Sequence, residues 1–334
     1  MFLNIALYLI IIYFINNFFL KKKILESNIG SKHQSFANNS VPLSGGIFIF
    51  FPVLNLLIYD QVSIGLIFFL LFFLGLCSDL NILSSPKKRF FIQIIILIIF
   101  VFFSKLSVLP TRIEFIDKIF SYPILNYLFT AFCLMVLING SNFIDGLNGL
   151  LFGYFLIVMF FIYNLNLLNI SDLNNFKELS ILITVLFLIV MNFFNKLFLG
   201  DNGAYSLSFL IGVLLINIYN LNSNISPYFI ILLLWYPCFE NLFSIIRKFI
   251  EKKNPLKADN NHLHQLIYLL IKKKYKLKNH KSNNISSLII IIFNFAILYV
   301  ASLNIYYTKY QLMILSISVL LYLIIFFNLR KILK

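Results

Sequence analysis

Residues 62–91 read VSIGLIFFLLFFLGLCSDLNILSSPKKRFF. From Val62 to Cys77 there is no charged side chain. A carboxylate, a turn and a Pro-Lys-Lys-Arg cluster then follow. A segment apolar on every face has no polar side to offer water, so it reads as a helix buried in protein or lipid. The whole chain decides between the two. Its 334 residues are 60% hydrophobic and only 12% charged, with 40 Phe. Ordinary soluble domains carry roughly 45–50% apolar and about 25% charged residues. No single aqueous core takes up that excess, and the bilayer is the solvent that can.

Working outward from 62–77, apolar runs between polar breaks predict an all-α, polytopic integral membrane protein with 10–11, in detail eleven, transmembrane helices. They fall near 2–20, 45–59, 62–77, 90–103, 123–139, 149–163, 179–195, 204–219, 227–246, 285–307 and 311–328. The runs 45–59 and 90–103 are short for a span. Apolar residues 1–20 precede Lys21, Lys22 and Lys23, the reverse of the charge order of a cleaved secretory signal. This segment reads as a retained first helix. Its N-terminus is then periplasmic and the chain's C-terminus cytoplasmic, in a bacterial inner membrane. With that orientation, 22 of the 27 Lys and Arg fall in inside segments. The five outside are Lys105, Arg112, Lys118, Lys177 and Lys309. The bias obeys the positive-inside rule. It gives the net charge of +15 to one face, where anionic lipid headgroups and phosphorylated substrates explain it better than nucleic acid does. Cys77, Cys133 and Cys238 sit apart in apolar runs and read as packing residues, not as a disulfide or zinc framework.

The inside loops hold the chemistry. Asp79, Asp145, Asp201 and Asp259 occupy four of them. The first loop ends in Pro42-Leu43-Ser44-Gly45-Gly46, where glycines at a helix start allow either an anion or a plain turn. The second joins Ser78-Asp79 to Pro86-Lys87-Lys88-Arg89, a cluster suited to lipid phosphate or to simple anchoring. The third, Asn139 to Leu150, contains Asn142, Asp145, Gly146, Leu147 and Asn148 and has no basic residue. Its amides suit a base, ribose or sugar. The fourth, Phe198-Leu199-Gly200-Asp201-Asn202-Gly203, offers one carboxylate beside glycine at a helix mouth, an oxygen ligand for Mg²⁺ or an Asx turn. The fifth follows Arg247 and contains Asp259-Asn260-Asn261-His262-Leu263-His264. Its two histidines suit proton transfer or phosphate contact. His33 and His280 read as solvated.

Taken in order, P-x-x-G-G, an Asp loop before P-x-x-R, N-x-x-N-x-x-D-G-x-x-G-L, F-x-G-D-x-G and D-x-x-H-L-H resemble the polyprenyl-phosphate N-acetylhexosamine-1-phosphate transferases. These motifs span residues 42 to 264. The resemblance implies one integral membrane transferase domain over 1–334, its site formed by loops 21–44, 78–90, 139–149, 195–203 and 247–284. It implies a phosphotransferase acting on substituted phosphates. A UDP-N-acetylhexosamine would give its sugar 1-phosphate to undecaprenyl phosphate, releasing UMP, with Mg²⁺, or Mn²⁺ in its place, as cofactor. A homodimer is a form that the family takes. By resemblance Asp79, Asp145, Asp201, His262 and His264 are catalytic, and Asp201 holds the metal. Asn139, Asn142, Gly146, Leu147, Asn148, Phe198, Gly203, Arg89, Arg247 and Asp259 bind substrates, with Phe198 stacking on uracil and Asp79 near the lipid phosphate.

Departures accompany the likeness. Ser78-Asp79 stands where the family usually has two Asp, Asn148 where Asp is frequent, and Glu240 where many members have Asp. Leu43 and Asn39 leave the first loop without its usual basic residue. The His-Leu-His form resembles N-acetylglucosamine-type enzymes that start surface glycans or lipopolysaccharide, the alternative being the peptidoglycan-precursor phospho-N-acetylmuramoyl-pentapeptide transferase. A transporter and a catalytically silent scaffold remain as other classes.

The topology has a direct test. With the three native cysteines changed to Ala, Lys253→Cys should react with an impermeant maleimide only from the cytoplasmic side. Lys309→Cys should react only from the opposite side. Labelling of both from one side would refute the span at 285–307.

Overall fold

The computed structural model describes residues 2–26, 41–108, 110–167, 176–254 and 259–333. His33, Asn39 and Asp172 lie outside them. The described chain is all-α. Its helices are α1 (Phe2–Lys22), α2 (Gly45–Asp60), α3 (Val62–Asp79), α4 (Pro86–Ser104), α5 (Glu114–Phe120), α6 (Pro123–Ile144), α7 (Leu150–Asn164), α8 (Phe176–Phe193), α9 (Gly200–Leu221), α10 (Pro227–Leu233), α11 (Trp235–Ile250), α12 (Leu263–Tyr275), α13 (Asn279–Ser302) and α14 (Thr308–Leu333).

Each of the eleven expected apolar runs forms helix, but fewer are long enough to be counted as spans. Among the described residues six helices are long and apolar enough to cross a bilayer: α1, α3, α6, α9, α13 and α14. The pair α10 and α11, bent by 78°, makes a seventh if it is one span. The apolar helices Gly45–Leu57, Leu150–Asn164 and Leu179–Phe193 are shorter. Helix α4 has the length but opens with Lys87, Lys88 and Arg89. The protein is thus a polytopic membrane protein with six or seven candidate spans.

The bend inside the expected run 227–246 has a sequence cause. Pro237 lacks an N–H, and its ring collides with the carbonyl four residues back, at Leu233. Helix α10 ends at Leu233. The carbonyl so released accepts the Tyr154 hydroxyl at 3.0 Å. Trp235 and Tyr236, just past the break, are among the largest fully buried side chains.

The N-terminus of α9 lies against α2 and α3 at backbone distance, which only glycine permits. A Cβ on Gly75 would stand 2.4 Å from the Asn202 backbone nitrogen and Cα, and one on Gly46 would stand 2.4 Å from the Gly203 nitrogen. The Gly45 and Gly46 N–H groups donate to the carbonyls of Phe198 and Leu199 at 2.9 and 3.0 Å. Beside the two readings of this loop, an anion or a plain turn, the structure shows a third use of its glycines, the close packing of backbones. At the opposite end of α9, Arg112 fastens three loops together. Its guanidinium donates to the carbonyls of Ser223, Asn224, Ile225 and Tyr306, and to the Thr308 hydroxyl, at 2.8–3.1 Å.

These contacts set a contrast between two glycines. Gly75→Ala pushes a methyl into backbone that cannot yield and should cost about 1–3 kcal/mol. Gly153→Ala meets only the Ile291 side chain, at Cδ1 and, 3.3 Å away, Cγ1, whose far end can rotate away. The helix preference for Ala over Gly, roughly 1 kcal/mol, offsets that contact. Thermal unfolding in detergent should show a lower Tm for Gly75→Ala and one near wild type for Gly153→Ala. Equal shifts would contradict the close α3–α9 contact.

Candidate active site

Helix α9 begins with amides that have no helical partner of their own. Asp79, four residues after Gly75 and so on the same face of α3, supplies acceptors for them. Its Oδ1 accepts the Asp201 N–H at 3.0 Å. Its Oδ2 accepts the Asn202 N–H at 3.0 Å and the Asn202 side-chain amide at 2.6 Å. Gly200 makes the turn into the helix with φ of +81°, where a Cβ would approach Asp79 Oδ2 to 2.8 Å. Asp79 is 7% exposed. Both its oxygens are engaged by α9, so in this structure it holds the next carboxylate in place.

That carboxylate is Asp201. Its Oδ2 accepts the Ser78 hydroxyl at 2.7 Å, Arg89 Nη1 at 2.6 Å and the Tyr205 hydroxyl at 3.2 Å. Its Oδ1 accepts the Asn142 amide at 2.5 Å. Arg89 also bonds Ser78. Ser78, where a second carboxylate was expected from the resemblance, thus acts as a hydroxyl bridge between the Arg89 cation and Asp201. Asp201 and Arg89 have side chains 14% and 20% exposed, open enough to meet a ligand.

Helix α6 carries the site onward. Asn142 reaches Asp201, and the ring of the next residue, Phe143, lies 5.0 Å from that of His262. His262 and His264 stack at 5.5 Å and an interplanar angle of 16°. The Cβ direction of Gly146 points at His264 Nε2, 3.3 Å away, so glycine there leaves the imidazole its place. Asp145 closes α6 with its backbone N–H on the Ser141 carbonyl at 3.1 Å. Arg247 grips Asp259 with two bonds of 2.7 and 3.2 Å. Burial pushes the Asp259 carboxyl up, but the Arg247 guanidinium outweighs it and holds the group below the ordinary carboxylate range. His262 Nε2 lies 3.6 Å from Asp259 Oδ1, too long for a direct hydrogen bond.

Other expected site residues turn elsewhere. Asn148 is 1% exposed and donates to Asn195 Oδ1 at 2.6 Å and Asn284 Oδ1 at 2.9 Å. Its N–H donates to Asn283 Oδ1 at 2.7 Å. An amide suits that place because two acceptors face it, and an ionised Asp has no proton to give them. Asn139 bonds the Met135 carbonyl at 2.9 Å and faces Gln93 Oε1 at 3.4 Å. Leu147 is buried. Phe198 is 4% exposed and packs with Val41 and Leu43. Stacking on a uracil requires that ring to leave its pocket. Gly203 serves the contact with Gly46.

Three side chains were not assigned to the site by the motifs. Tyr205 lies one helical turn after Asp201, a spacing that could have flagged it. Glu240 holds His262 Nδ1 at 2.9 Å, and Tyr322 bonds Glu240 at 2.8 Å. Neither of these lies in a polar loop; the resemblance marks Glu240 as standing where many members have Asp, while Tyr322, in an apolar run, has no signal.

Comparison with known proteins speaks to the family. The profile of Glycosyl transferase family 4 matches residues 61–219. A probable undecaprenyl-phosphate N-acetylglucosaminyl 1-phosphate transferase of Bacillus subtilis is 27% identical over 83% of this chain and 78% of its own length. An undecaprenyl-phosphate alpha-N-acetylglucosaminyl 1-phosphate transferase of Thermotoga maritima is 28% identical over 68% of each chain. A phospho-N-acetylmuramoyl-pentapeptide-transferase of Prochlorococcus marinus is 28% identical over 58% of this chain and 57% of its own, and that name recurs in further relatives. With five motifs in order, the profile match and these relatives, the chain belongs to glycosyl transferase family 4, the superfamily of polyprenyl-phosphate sugar-1-phosphate transferases.

Proposed function

We propose that the protein transfers the sugar 1-phosphate of a UDP-linked N-acetylhexosamine to undecaprenyl phosphate and releases UMP. The observation that carries this reading is the Asp201–Arg89–Ser78–Asn142 cluster at the start of α9, joined through the end of α6 to the two histidines. A partly exposed carboxylate and guanidinium, linked through the end of α6 to imidazoles, suit a reaction between two anions. On this reading the site faces the cytoplasm and the N-terminus lies across the membrane.

For the donor, the relatives' names favour the phospho-N-acetylmuramoyl-pentapeptide alternative over the initiation of a surface glycan, since it is the name most of them carry. Two observations keep N-acetylglucosamine as a second reading. One is the His262-Leu263-His264 form. The other is that the relatives so named align over the larger shares of this chain.

In the reaction, an oxygen of the lipid phosphate attacks the β-phosphorus of the UDP-sugar. The bond from that phosphorus to the bridging oxygen breaks, and UMP leaves with the electron pair. Arg89 offsets the charge that spreads over the phosphoryl oxygens. Asn142 fixes the rotamer of Asp201 through Oδ1. No group of three or more His, Cys, Asp or Glu is gathered as a metal cage among the described residues. Mg²⁺ needs no such cage, because one or two carboxylates with substrate phosphates and water fill its shell. The partly exposed Asp201 fits that donor set and would hold the ion. Bound there, Mg²⁺ supplies Lewis-acid stabilisation of the diphosphate.

The assay is UMP release by the purified protein with undecaprenyl phosphate, Mg²⁺ and a panel including UDP-N-acetylglucosamine and UDP-N-acetylmuramoyl-pentapeptide. Asp201→Asn should lower the rate by about 10²-fold or more. One of its oxygens also becomes a donor, but the side chain is partly exposed and water can take up the donor left over, so its Tm should fall less than that of Asp79→Asn. Asp79→Asn should lower both rate and Tm, because one oxygen that received α9 amides becomes a donor. A Tm loss confined to Asp201→Asn would reverse these roles. Release with neither donor, from protein shown to be folded, would refute the reading.

A further inference from the structure

Glu240 lies on α11, outside the five motifs, yet it is 1% exposed and its carboxylate is fully engaged. Oε1 meets His262 Nδ1 at 2.9 Å and accepts the Leu263 N–H at 3.3 Å. Oε2 accepts the Tyr322 hydroxyl from α14 at 2.8 Å. An ionised carboxylate only accepts, so the imidazole nitrogen against it carries the proton. That leaves Nε2 on the other edge of the ring, toward Asp259, in a ring that lies 5.0 Å from Phe143 and 5.5 Å from His264. The His262 backbone is fixed as well, its N–H donating to Gln265 Oε1 at 3.2 Å.

Tyr322 is itself immobilised. It is fully buried, and its ring meets those of Phe239 at 4.9 Å, Phe243 at 5.5 Å and Phe326 at 6.2 Å. The packing sets where the ring lies, and the hydroxyl then sets where the Glu240 carboxylate lies. An apolar helix would satisfy the core with Phe at this position. A tyrosine whose one polar atom lands on a buried carboxylate behind an active-site histidine does more than fill space.

We infer that Glu240, held by Tyr322, is a positioning residue that fixes the tautomer and direction of His262, so that the unprotonated Nε2 faces the sugar of the donor and accepts a hydrogen bond from one of its O–H or N–H groups. This rests on the proposed transfer reaction. It makes α14, beyond the part of the chain matched by the family profile, a supporting wall of the active site. The alternative role for Glu240 is purely structural, as a cap for the Leu263 amide at the start of α12.

The test is steady-state UMP release in lipid nanodiscs, with kcat and donor KM measured separately, joined to ¹⁵N-histidine NMR. The His262 signals are assigned by their loss in His262→Gln. Removing the partner that orients a reactive histidine typically costs about 10–100-fold. Glu240→Gln should therefore lower kcat by about that factor with donor KM within roughly twofold. Tyr322→Phe, which loses one oxygen and keeps the ring, should lower kcat by about threefold to tenfold, and Glu240→Asp should retain more activity than Glu240→Gln. In a His262→Gln background, Glu240→Gln should add less than about a further twofold, because the group it positions is gone. The same penalty in both backgrounds, or an unchanged kcat, would overturn the inference and leave Glu240 a structural cap. The NMR arm does not depend on activity. An Nδ1–H signature for His262 that is lost in Glu240→Gln supports the inference, and an Nε2–H tautomer in the wild type overturns it. Absence of UMP release by the wild type would instead count against the transfer reaction.

Discussion

The structure is organised by one carboxylate satisfying the start of one helix. The first amides of α9 need acceptors, and in an apolar surround each unmet one costs free energy comparable to a lost hydrogen bond. Asp79 supplies two oxygens to the Asp201 and Asn202 amides. A side-chain cap of this kind is worth about 0.5–2 kcal/mol. The contact is possible because Gly75, one turn earlier, lets α3 touch the α9 backbone. Gly46 does the same from α2. Packing and polar satisfaction therefore meet at one point, and Asp201 projects from that point. Its direction is inherited from the cap.

The second organising element is the end of α6. Side chains one residue apart on a helix diverge by about 100°. Asn142 and Phe143 use that divergence, one turning to Asp201 and the other to His262. A carboxylate cluster and a histidine cluster, from opposite parts of the sequence, are in this way held at a fixed separation by rigid helix. Sites built on helices are more exact than sites on loops, which suits a reaction that must bring two anionic phosphates together.

Much of this was legible in the sequence because it is local. Apolar runs of helical length gave every apolar helix, and breaks rich in Asn, Asp and Gly gave the loops that meet at the site. The number of spans was less legible. Length and composition locate a helix, but whether it crosses is decided by its ends, as at α4 with its three basic residues and at the Pro237 bend. The least legible features were pairings between distant helices. Nothing near Glu240 or Tyr322 announces a partner, because each lies in an apolar stretch and acquires its meaning only when α11 and α14 touch. Asn148 shows the same limit in reverse. Its loop marked it for substrate, while its amide is taken by Asn195 and Asn284, which no local pattern connects to it.

Ser78 illustrates how a departure from a family pattern is read once the neighbours are known. A carboxylate at this position would stand beside Asp201 and share Arg89 with it. Two carboxylates so close repel unless a cation sits between them. With a hydroxyl instead, Asp201 has the Arg89 guanidinium to itself, and Ser78 bridges the two. The local charge is one unit more positive than with Asp. Attraction for the anionic substrates rises, while the electrostatic pull on a divalent cation falls, since one of its potential ligands is neutral. On the proposed reaction, the substitution would leave less of the charge stabilisation to a metal and more to the guanidinium, and in that way the missing first carboxylate is compatible with it.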